Sequence, residues 1–225
     1  MIKFKALVVA AALLHLSAFF LMLWNVEPFY TFFYQFGWWS YIIFIAALNH
    51  LQAENSLIFD HPRRFFRVFI YSSLVWFFFE AYNLRLENWH YYGVPIEAWI
   101  RIPGYFIAFG TVLPGIFETR TLVSNNLLAG GLKGPAIRLH RPVLYRFLLI
   151  GGLMMIAPLI SPRVFFPFVW VGLIFLLDAI LHFMGAASVT FSGQLSKGDY
   201  AGIASFAVAG LLCGFLWEFW NFWAG

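Results

Sequence analysis

Long stretches of apolar residues alternate with short polar segments along the whole chain. The stretches are continuous and lack the two-residue alternation of membrane β-strands, and most approach the roughly 20 residues that an α-helix needs to cross a bilayer. The pattern therefore predicts an all-α fold, a polytopic membrane bundle of about seven transmembrane helices. The predicted spans are residues 4–26, 34–53, 65–84, 103–122, 145–160, 165–187 and 200–223.

The composition supports a membrane protein and excludes a soluble or disordered one. Hydrophobic residues make up 62% of the 225 residues and charged residues 11%, whereas soluble domains average about 45–50% and 25%. Lys3 and Lys5 precede the first apolar stretch, and no small-residue cleavage site closes it, so we interpret that stretch as an uncleaved anchor. We expect residues 1–225 to form a single transmembrane domain in the lipid bilayer.

The distribution of basic residues predicts the orientation. If the N-terminus is cytoplasmic, 11 of the 14 Lys and Arg residues lie in cytoplasmic segments, as the positive-inside rule requires. Most tryptophans then lie near the opposite interface. We therefore expect a multi-pass protein of the cell membrane with a cytoplasmic N-terminus and an external C-terminus.

Two short motifs indicate an internal duplication. The hexapeptides 79–84 and 217–222 both read aromatic-Glu-x-aromatic-Asn at an offset of 138 residues, and Phe36-Gly37-Trp38 resembles Phe168-Val169-Trp170 at an offset of 132. Both predicted halves begin on the same side of the membrane. We therefore predict two parallel repeats, spans 1–3 and spans 5–7.

The two halves differ after their shared motif. The first half, residues 1–122, includes an aromatic segment, residues 86–102, which we expect to form a structured outer cap at the membrane interface. The second half, residues 145–225, has no counterpart of this cap or of the following helix. Either an eighth helix was lost, or a C-terminal helix is missing from this chain.

Glutamate and asparagine side chains inside the spans are candidate catalytic residues. Glu80 and Asn83 are spaced i,i+3, as are Glu218 and Asn221, so each pair lies on one helix face. The two carboxylates are candidates for acid–base catalysis; alternatively, both pairs form hydrogen bonds that lock the repeat interface. Aromatic and imidazole side chains near them are candidate substrate-binding residues: Trp76, Tyr82, Trp89, His90, Trp217 and Trp220.

Histidine and carboxylate side chains deeper in the spans form a second candidate group. His50 and Glu54 are spaced i,i+4, and so are Asp178 and His182. These four residues are candidate ligands of a metal ion, although the Glu-x-x-His signature of di-metal bundles is absent. Axial haem ligation by His50 and His182, a polar cluster and a proton relay are the alternatives.

A resemblance to a known family follows from the segment around the predicted cap. The stretch Phe79-Glu80-Ala81-Tyr82 through Trp89-His90-Tyr91-Tyr92-Gly93, with Ile102-Pro103-Gly104-Tyr105-Phe106 after it, resembles the lycopene-cyclase-type integral membrane enzymes of carotenoid synthesis. The resemblance covers about 30 residues and implies duplicated units of three to four helices. The paired acids that follow the proline in that family are replaced here by Gly104 and Tyr105, so only the architecture is implied.

Three classes of function remain open from the sequence. The first is an enzyme of lipid-phase chemistry that acts on an isoprenoid, carotenoid or quinone-like ligand, with Glu80 and Glu218 as proton donors. The second is a non-enzymatic membrane subunit or assembly factor with a membrane protein partner. The third is a transporter or channel that uses the paired carboxylates, and haem- or metal-based electron transfer is a further alternative.

Overall fold

The fold is helical throughout the described part of the chain. A computed structural model describes residues 1–224, and Gly225, the last residue of the second predicted half, lies outside them. These residues contain no β-strand, only an isolated bridge between Lys133 and Asp199. The α-helices are α1 (Ile2–Leu23), α2 (Phe33–Ala53), α3 (Pro62–Leu86), α4 (Ala98–Phe109), α5 (Val112–Asn126), α6 (Arg141–Ile160), α7 (Pro162–Phe165), α8 (Phe168–Phe183), α9 (Phe191–Ser196) and α10 (Ala201–Ala224).

Five segments of the described chain are helical, long and apolar enough to cross a membrane. They are Ile2–Leu23, Pro62–Leu86, Ala98–Asn126, Arg141–Ile160 and Ala201–Trp223. The sequence also predicts spans at α2 and α8, which fall outside this set. α8 is apolar but has only 16 residues, and α2 carries polar residues such as Ser40, Asn49 and His50. The set of apolar helices is the one expected of an integral membrane protein.

The third of these segments is interrupted between α4 and α5. The amide of Leu113 donates to Ser72 Oγ of α3 (3.0 Å), and this hydroxyl donates to the carbonyl of Phe109 (2.6 Å). A side-chain oxygen thus stands in the place of the direct Leu113–Phe109 helical bond, which is a recognised cause of a helix break. Pro114 follows in the first turn of α5, where its missing N–H is tolerated.

Contacts between Cα atoms divide the chain into two compact units. The first unit contains residues Met1–Phe77, Tyr91–Ala129 and α10 from Ser205 onward. In it α1 packs along α2, and Trp38 and Trp220 form the centre of an aromatic core with ring centroids 4.8 Å apart. Both indoles are about 1% exposed.

The second unit contains residues Phe78–His90 and Gly130–Ala204. In it α6 and α8 pack closely through Gly151 and Gly172. A Cβ atom on Gly151 would lie 2.8 Å from the backbone nitrogen of Leu176 and 2.9 Å from the carbonyl oxygen of Gly172. The linker before α6 is tied to the segment before α10 by the Lys133–Asp199 ion pair (3.2 Å) and by the bond from the Tyr200 amide to the Leu132 carbonyl (2.9 Å).

We expect Gly151→Ala to destabilise the protein because the new methyl group meets the backbone of α8. The expected loss is about 1–3 kcal/mol of unfolding free energy, typical of overpacking. Gly152→Ala is the matched control, since a Cβ there meets no atom within 4 Å. Thermal unfolding in mild detergent measures both, and equal stability of the two variants would contradict close packing at Gly151.

Candidate functional site

A fully buried polar site of the first unit lies between α2, α5 and the linker from α2 to α3. Asn49 Nδ2 donates to Glu118 Oε2 (2.6 Å) and to the Glu118 carbonyl oxygen (2.9 Å). Ser56 Oγ and the amide of Ile58 both donate to Glu118 Oε1 (2.9 and 3.1 Å). The side chains of Asn49, Ser56 and Glu118 are fully buried. We call these three residues and the Ile58 amide the Glu118 cluster.

The linker explains why a carboxylate is placed here. α2 ends at Glu54, which has a left-handed backbone with φ of 48°, and the chain then turns back toward α3. In this turn Ser56 Oγ accepts from the amides of Ile58 (3.2 Å) and Phe59 (3.1 Å). Buried backbone amides need acceptors, and the Glu118 carboxylate and the Ser56 hydroxyl supply them. The cluster therefore fixes the linker to α5.

A histidine–carboxylate pair lies at the same end of α2. His50 Nδ1 is 2.8 Å from Asp60 Oδ1, and Asp60 Oδ2 accepts from the Ser56 amide (2.7 Å). The ring of Phe4 packs on the imidazole, with centroids 3.8 Å apart. A carboxylate on Nδ1 fixes the orientation of the ring, and a surface depression of about 200 Å³ lined by His50 and Glu54 adjoins it. The pair has the chemistry of a general base, but Asp60 is also part of the linker's own hydrogen bonding.

The second unit contains a comparable arrangement. The Asp178 carboxylate accepts from the Ser192 amide (3.2 and 3.3 Å), and His182 Nδ1 is 3.1 Å from Ser192 Oγ. Thr190 caps α9 by accepting from the Gly193 amide (3.0 Å). Asp178 and His182 thus hold the segment that follows α8, as Glu118 and His50 hold the segment that follows α2.

The four candidate metal ligands are distributed over both units. His50 and Glu54 belong to the first unit, and Asp178 and His182 to the second. No group of three or more His, Cys, Asp or Glu side chains that could hold a metal ion occurs within residues 1–224. Glu54 is exposed. His50 and His182 are also the candidate haem ligands. The Nδ1 atom of His50 contacts Asp60, and the Nδ1 atom of His182 contacts Ser192.

Glu80 and Asn83 stabilise the segment after α3. Glu80 Oε1 accepts from the Trp89 indole (2.9 Å). Asn83 Nδ2 donates to the Trp89 carbonyl (2.7 Å), and Asn83 Oδ1 accepts from the amides of Asn88 (2.9 Å) and Trp89 (3.3 Å). Both side chains are therefore engaged with the beginning of the predicted cap.

Glu218 and Asn221 have a different environment. Both are exposed on α10, and neither makes a side-chain hydrogen bond or ion pair with any residue that the structure describes. The motifs at residues 79–84 and 217–222 are therefore similar in sequence, but their Glu and Asn side chains have different environments. One pair stabilises a linker, while the other projects away from its unit.

The candidate aromatic residues also divide between the units. In the first unit, Trp217 packs against Trp76 (4.9 Å) and Trp38 (6.3 Å between centroids), and Trp220 is buried. In the second unit, Tyr82 donates to the Met155 carbonyl (3.1 Å), Trp89 packs on Trp170 (5.6 Å), and His90 is exposed.

Comparison with protein-family models, with curated protein sequences and with solved structures gives no match for this chain. A function must therefore be argued from the side chains themselves.

Asn49, His50 and Glu118 all lie within predicted spans, but their spacing in the sequence does not join them into a site. Ser56 and Asp60 complete the hydrogen bonding. Both lie in the linker between α2 and α3, where polar residues are common and do not indicate a site. The available signal was the presence of Glu118 and Asn49 in apolar helices, because a buried ionisable group requires partners.

Replacing Glu118 by Leu should destabilise the protein strongly. The substitution leaves the Ser56 hydroxyl without its acceptor, and Asn49 Nδ2 and the Ile58 amide each lose one of two acceptors. An unsatisfied buried group costs about 1–3 kcal/mol. We expect a loss of at least about 2 kcal/mol in detergent unfolding, with Glu118→Gln intermediate because one acceptor oxygen remains.

Glu54→Gln is the control for this prediction, since it removes a nearby exposed carboxylate. It should change stability by less than about 0.5 kcal/mol. If Glu118→Leu were as stable as this control, the cluster would have no structural role.

Proposed function

We propose that the chain crosses the membrane seven times, with its N-terminus in the cytoplasm, and that α2 and α8 complete the set of spans. The length of α2, 21 residues, matches a bilayer crossing. Its polar residues do not need lipid contact, because Ser40 and Asn49 are fully buried. The short α8 is preceded by α7 and a turn, which together extend the apolar segment.

We also propose that the parallel duplication relates α1 and α2 of the first half to α6 and α8 of the second. The buried positions of α1, Ala11, Ala18 and Met22, coincide at one constant offset with Leu144, Gly151 and Met155 of α6. All four buried positions of α8, Val169, Gly172, Asp178 and Ala179, correspond at an offset of 132 to buried residues of α2: Gly37, Ser40, Ala46 and Ala47.

The histidine contacts follow the same offset. His50 corresponds to His182, and their respective partners Asp60 and Ser192 correspond to one another. The burial of α1 and α6 matches at an offset of 133, and the burial and contacts of α2 and α8 match at 132. These neighbouring registers support descent of the two helix pairs from one ancestral pair. The different environments of Glu80 and Glu218 give no such support for α3 and α10.

We infer that the protein is a non-catalytic membrane subunit or assembly factor, which binds a helix of another membrane protein through α10. The observation that carries this inference is the exposed, unpartnered Glu218 carboxylate, which lies about 8 Å along the helix from the end of the apolar segment at Trp223. An ionisable side chain in a span faces protein or water much more often than lipid.

The residues around Glu218 fit a helix partner. Ala207, Gly210, Gly214, Glu218 and Asn221 are all exposed and share one stripe of α10. A Cβ on Gly210 or Gly214 meets nothing within 4 Å, so another helix can approach this backbone closely. The polar pair then needs a partner side chain that donates hydrogen bonds.

A second copy of the chain is a poorer partner than a different protein. In a parallel symmetric pair, Glu218 would face Glu218 of the other copy, and two carboxylates in a low-dielectric setting repel one another. A helix with Arg, Lys, Ser or Asn at this depth complements the carboxylate instead.

Bulk or charge changes on the stripe should dissociate the complex without unfolding the protein. We expect Gly214→Leu and Glu218→Leu to shift a tagged copy in its native membrane from a larger complex to free protein on native electrophoresis. The thermal stability of the purified chain should stay unchanged. Leu212→Phe, which adds bulk at another exposed position of α10, is the control and should leave the complex intact.

Two outcomes would contradict this function. One is a native complex that contains only copies of this chain, as mass analysis of the band would reveal. The other is a complex that survives both substitutions on the stripe.

An enzyme of lipid-phase chemistry is the second candidate. The buried polar atoms of α2 that have no hydrogen-bond partner among residues 1–224 include Gln35 Oε1 and Trp38 Nε1. Both belong to the first unit, which also contains Trp76 and Trp217. The Trp38 indole could donate a hydrogen bond to the polar end of an isoprenoid-like ligand, and Gln35 Oε1 could accept one.

Conservative substitutions distinguish the two candidates. On the enzyme hypothesis, Glu80→Gln and Glu218→Gln should each reduce turnover at least about 100-fold, the low end of general acid–base contributions. On the subunit hypothesis, both variants should complement a deletion in the native host, because glutamine keeps the hydrogen-bonding capacity of each site. Complementation combined with detergent stability therefore decides between them.

A further inference from the structure

Arg120 is a cation that the fold leaves without an anionic partner. It lies in the C-terminal half of α5, six residues before the helix ends at Asn126, or about 9 Å along the helix. The side chain is half-buried, and its Nε atom is buried with no acceptor among the described residues. Its guanidinium carbon lies 4.6 Å from the ring centroid of Phe206 on α10.

The ring contact orients the guanidinium but does not neutralise it. A cation–π contact contributes about 0.5–2 kcal/mol and leaves the N–H donors in the plane of the group available. Guanidinium donors form a planar fork that matches two oxygens of a carboxylate or phosphate.

A second arginine reinforces the positive charge. Arg64, at the beginning of α3, lies close enough to Arg120 for their positive charges to repel one another. The repulsion is not offset within the chain, because neither arginine forms an ion pair with any carboxylate of residues 1–224. Arg63 and Arg67 are exposed on the same turn of α3 and increase the local positive potential.

Two nearby acidic side chains of the first unit, Glu118 and Asp60, already have hydrogen-bond partners within the chain. Glu118 accepts hydrogen bonds from Asn49, Ser56 and the Ile58 amide. Asp60 pairs with His50 and accepts from the Ser56 amide. Glu54, the other carboxylate at this end of α2, is exposed and forms no ion pair with Arg64 or Arg120. An anion from outside the chain can therefore complete both arginines.

We propose that Arg64 and Arg120 bind the phosphate of an anionic phospholipid at the membrane surface where α3 begins and α5 ends. The position favours a lipid over a free anion. Arg120 lies within an apolar span, Ala98–Asn126, where a phospholipid can present its phosphate while its chains remain against the helices. Basic residues at this level attract anionic headgroups by about 1 kcal/mol each. The site does not depend on the proposed partner of α10.

The test measures lipid binding to the full-length protein in a neutral detergent. Phosphatidylglycerol is titrated against wild type, Arg64→Gln, Arg120→Gln and Arg120→Lys, with binding followed by native mass spectrometry and by thermal stabilisation. We expect Arg64→Gln and Arg120→Gln each to weaken binding at least fivefold, which is about 1 kcal/mol per lost charge. Arg120→Lys should restore only part of the affinity, since lysine keeps the charge but loses the planar fork.

Arg138→Gln is the matched control, because it removes one exposed basic residue of the second unit. It should change affinity less than twofold. Arg64 is exposed, so its variant stays informative if Arg120→Gln folds poorly.

Three results would overturn the proposal. The first is equal weakening by Arg138→Gln, which would indicate non-specific attraction to basic residues. The second is binding of zwitterionic phosphatidylcholine as tight as that of phosphatidylglycerol. The third is full competition by millimolar inorganic phosphate, which would assign the site to a free anion.

Discussion

The structure depends on one constraint: a polar group between apolar helices has to find its partner inside the protein. In the first unit the constraint is met by Glu118, whose carboxylate accepts hydrogen bonds from α2 and from the linker to α3. Ser72 meets it at the break between α4 and α5, where its hydroxyl replaces a missing helical bond. In each case one side chain satisfies backbone groups that a bilayer could not.

The same constraint explains why several candidate site residues have structural contacts. Glu80, Asn83 and Asp178 all accept hydrogen bonds from the segment that follows their helix. Carboxylate and amide oxygens are strong acceptors, and the ends of helices leave amides that need them. A polar residue near the end of an apolar helix can therefore fix the following linker by hydrogen bonds and need not take part in catalysis.

Two sets of side chains in the first unit keep hydrogen-bonding capacity that no residue of 1–224 satisfies. Glu218 and Asn221 extend from a small-residue stripe of α10, and Arg120 lies half-buried beside a second arginine. One set is acidic and amide in character and fits a helix of another protein. The other is cationic and fits a phosphate. We propose a helix of another membrane protein as the partner of the first set and a phospholipid phosphate as the partner of the second.

The sequence by itself determined the helical membrane character and the approximate position of each apolar helix. Both follow from local properties, since continuous apolar length and the scarcity of charge are readable without tertiary contacts. The roles of individual polar residues could not be read from the sequence. The same i,i+3 spacing joins Glu80 to Asn83 and Glu218 to Asn221, although the two pairs have different environments. Only the tertiary structure decided that Glu80 accepts from Trp89, that Glu218 lies exposed, and that Glu118 joins Asn49 and Ser56. Hydrogen bonds form between residues far apart in the chain, and their partners depend on how helices pack and not on the spacing within one helix.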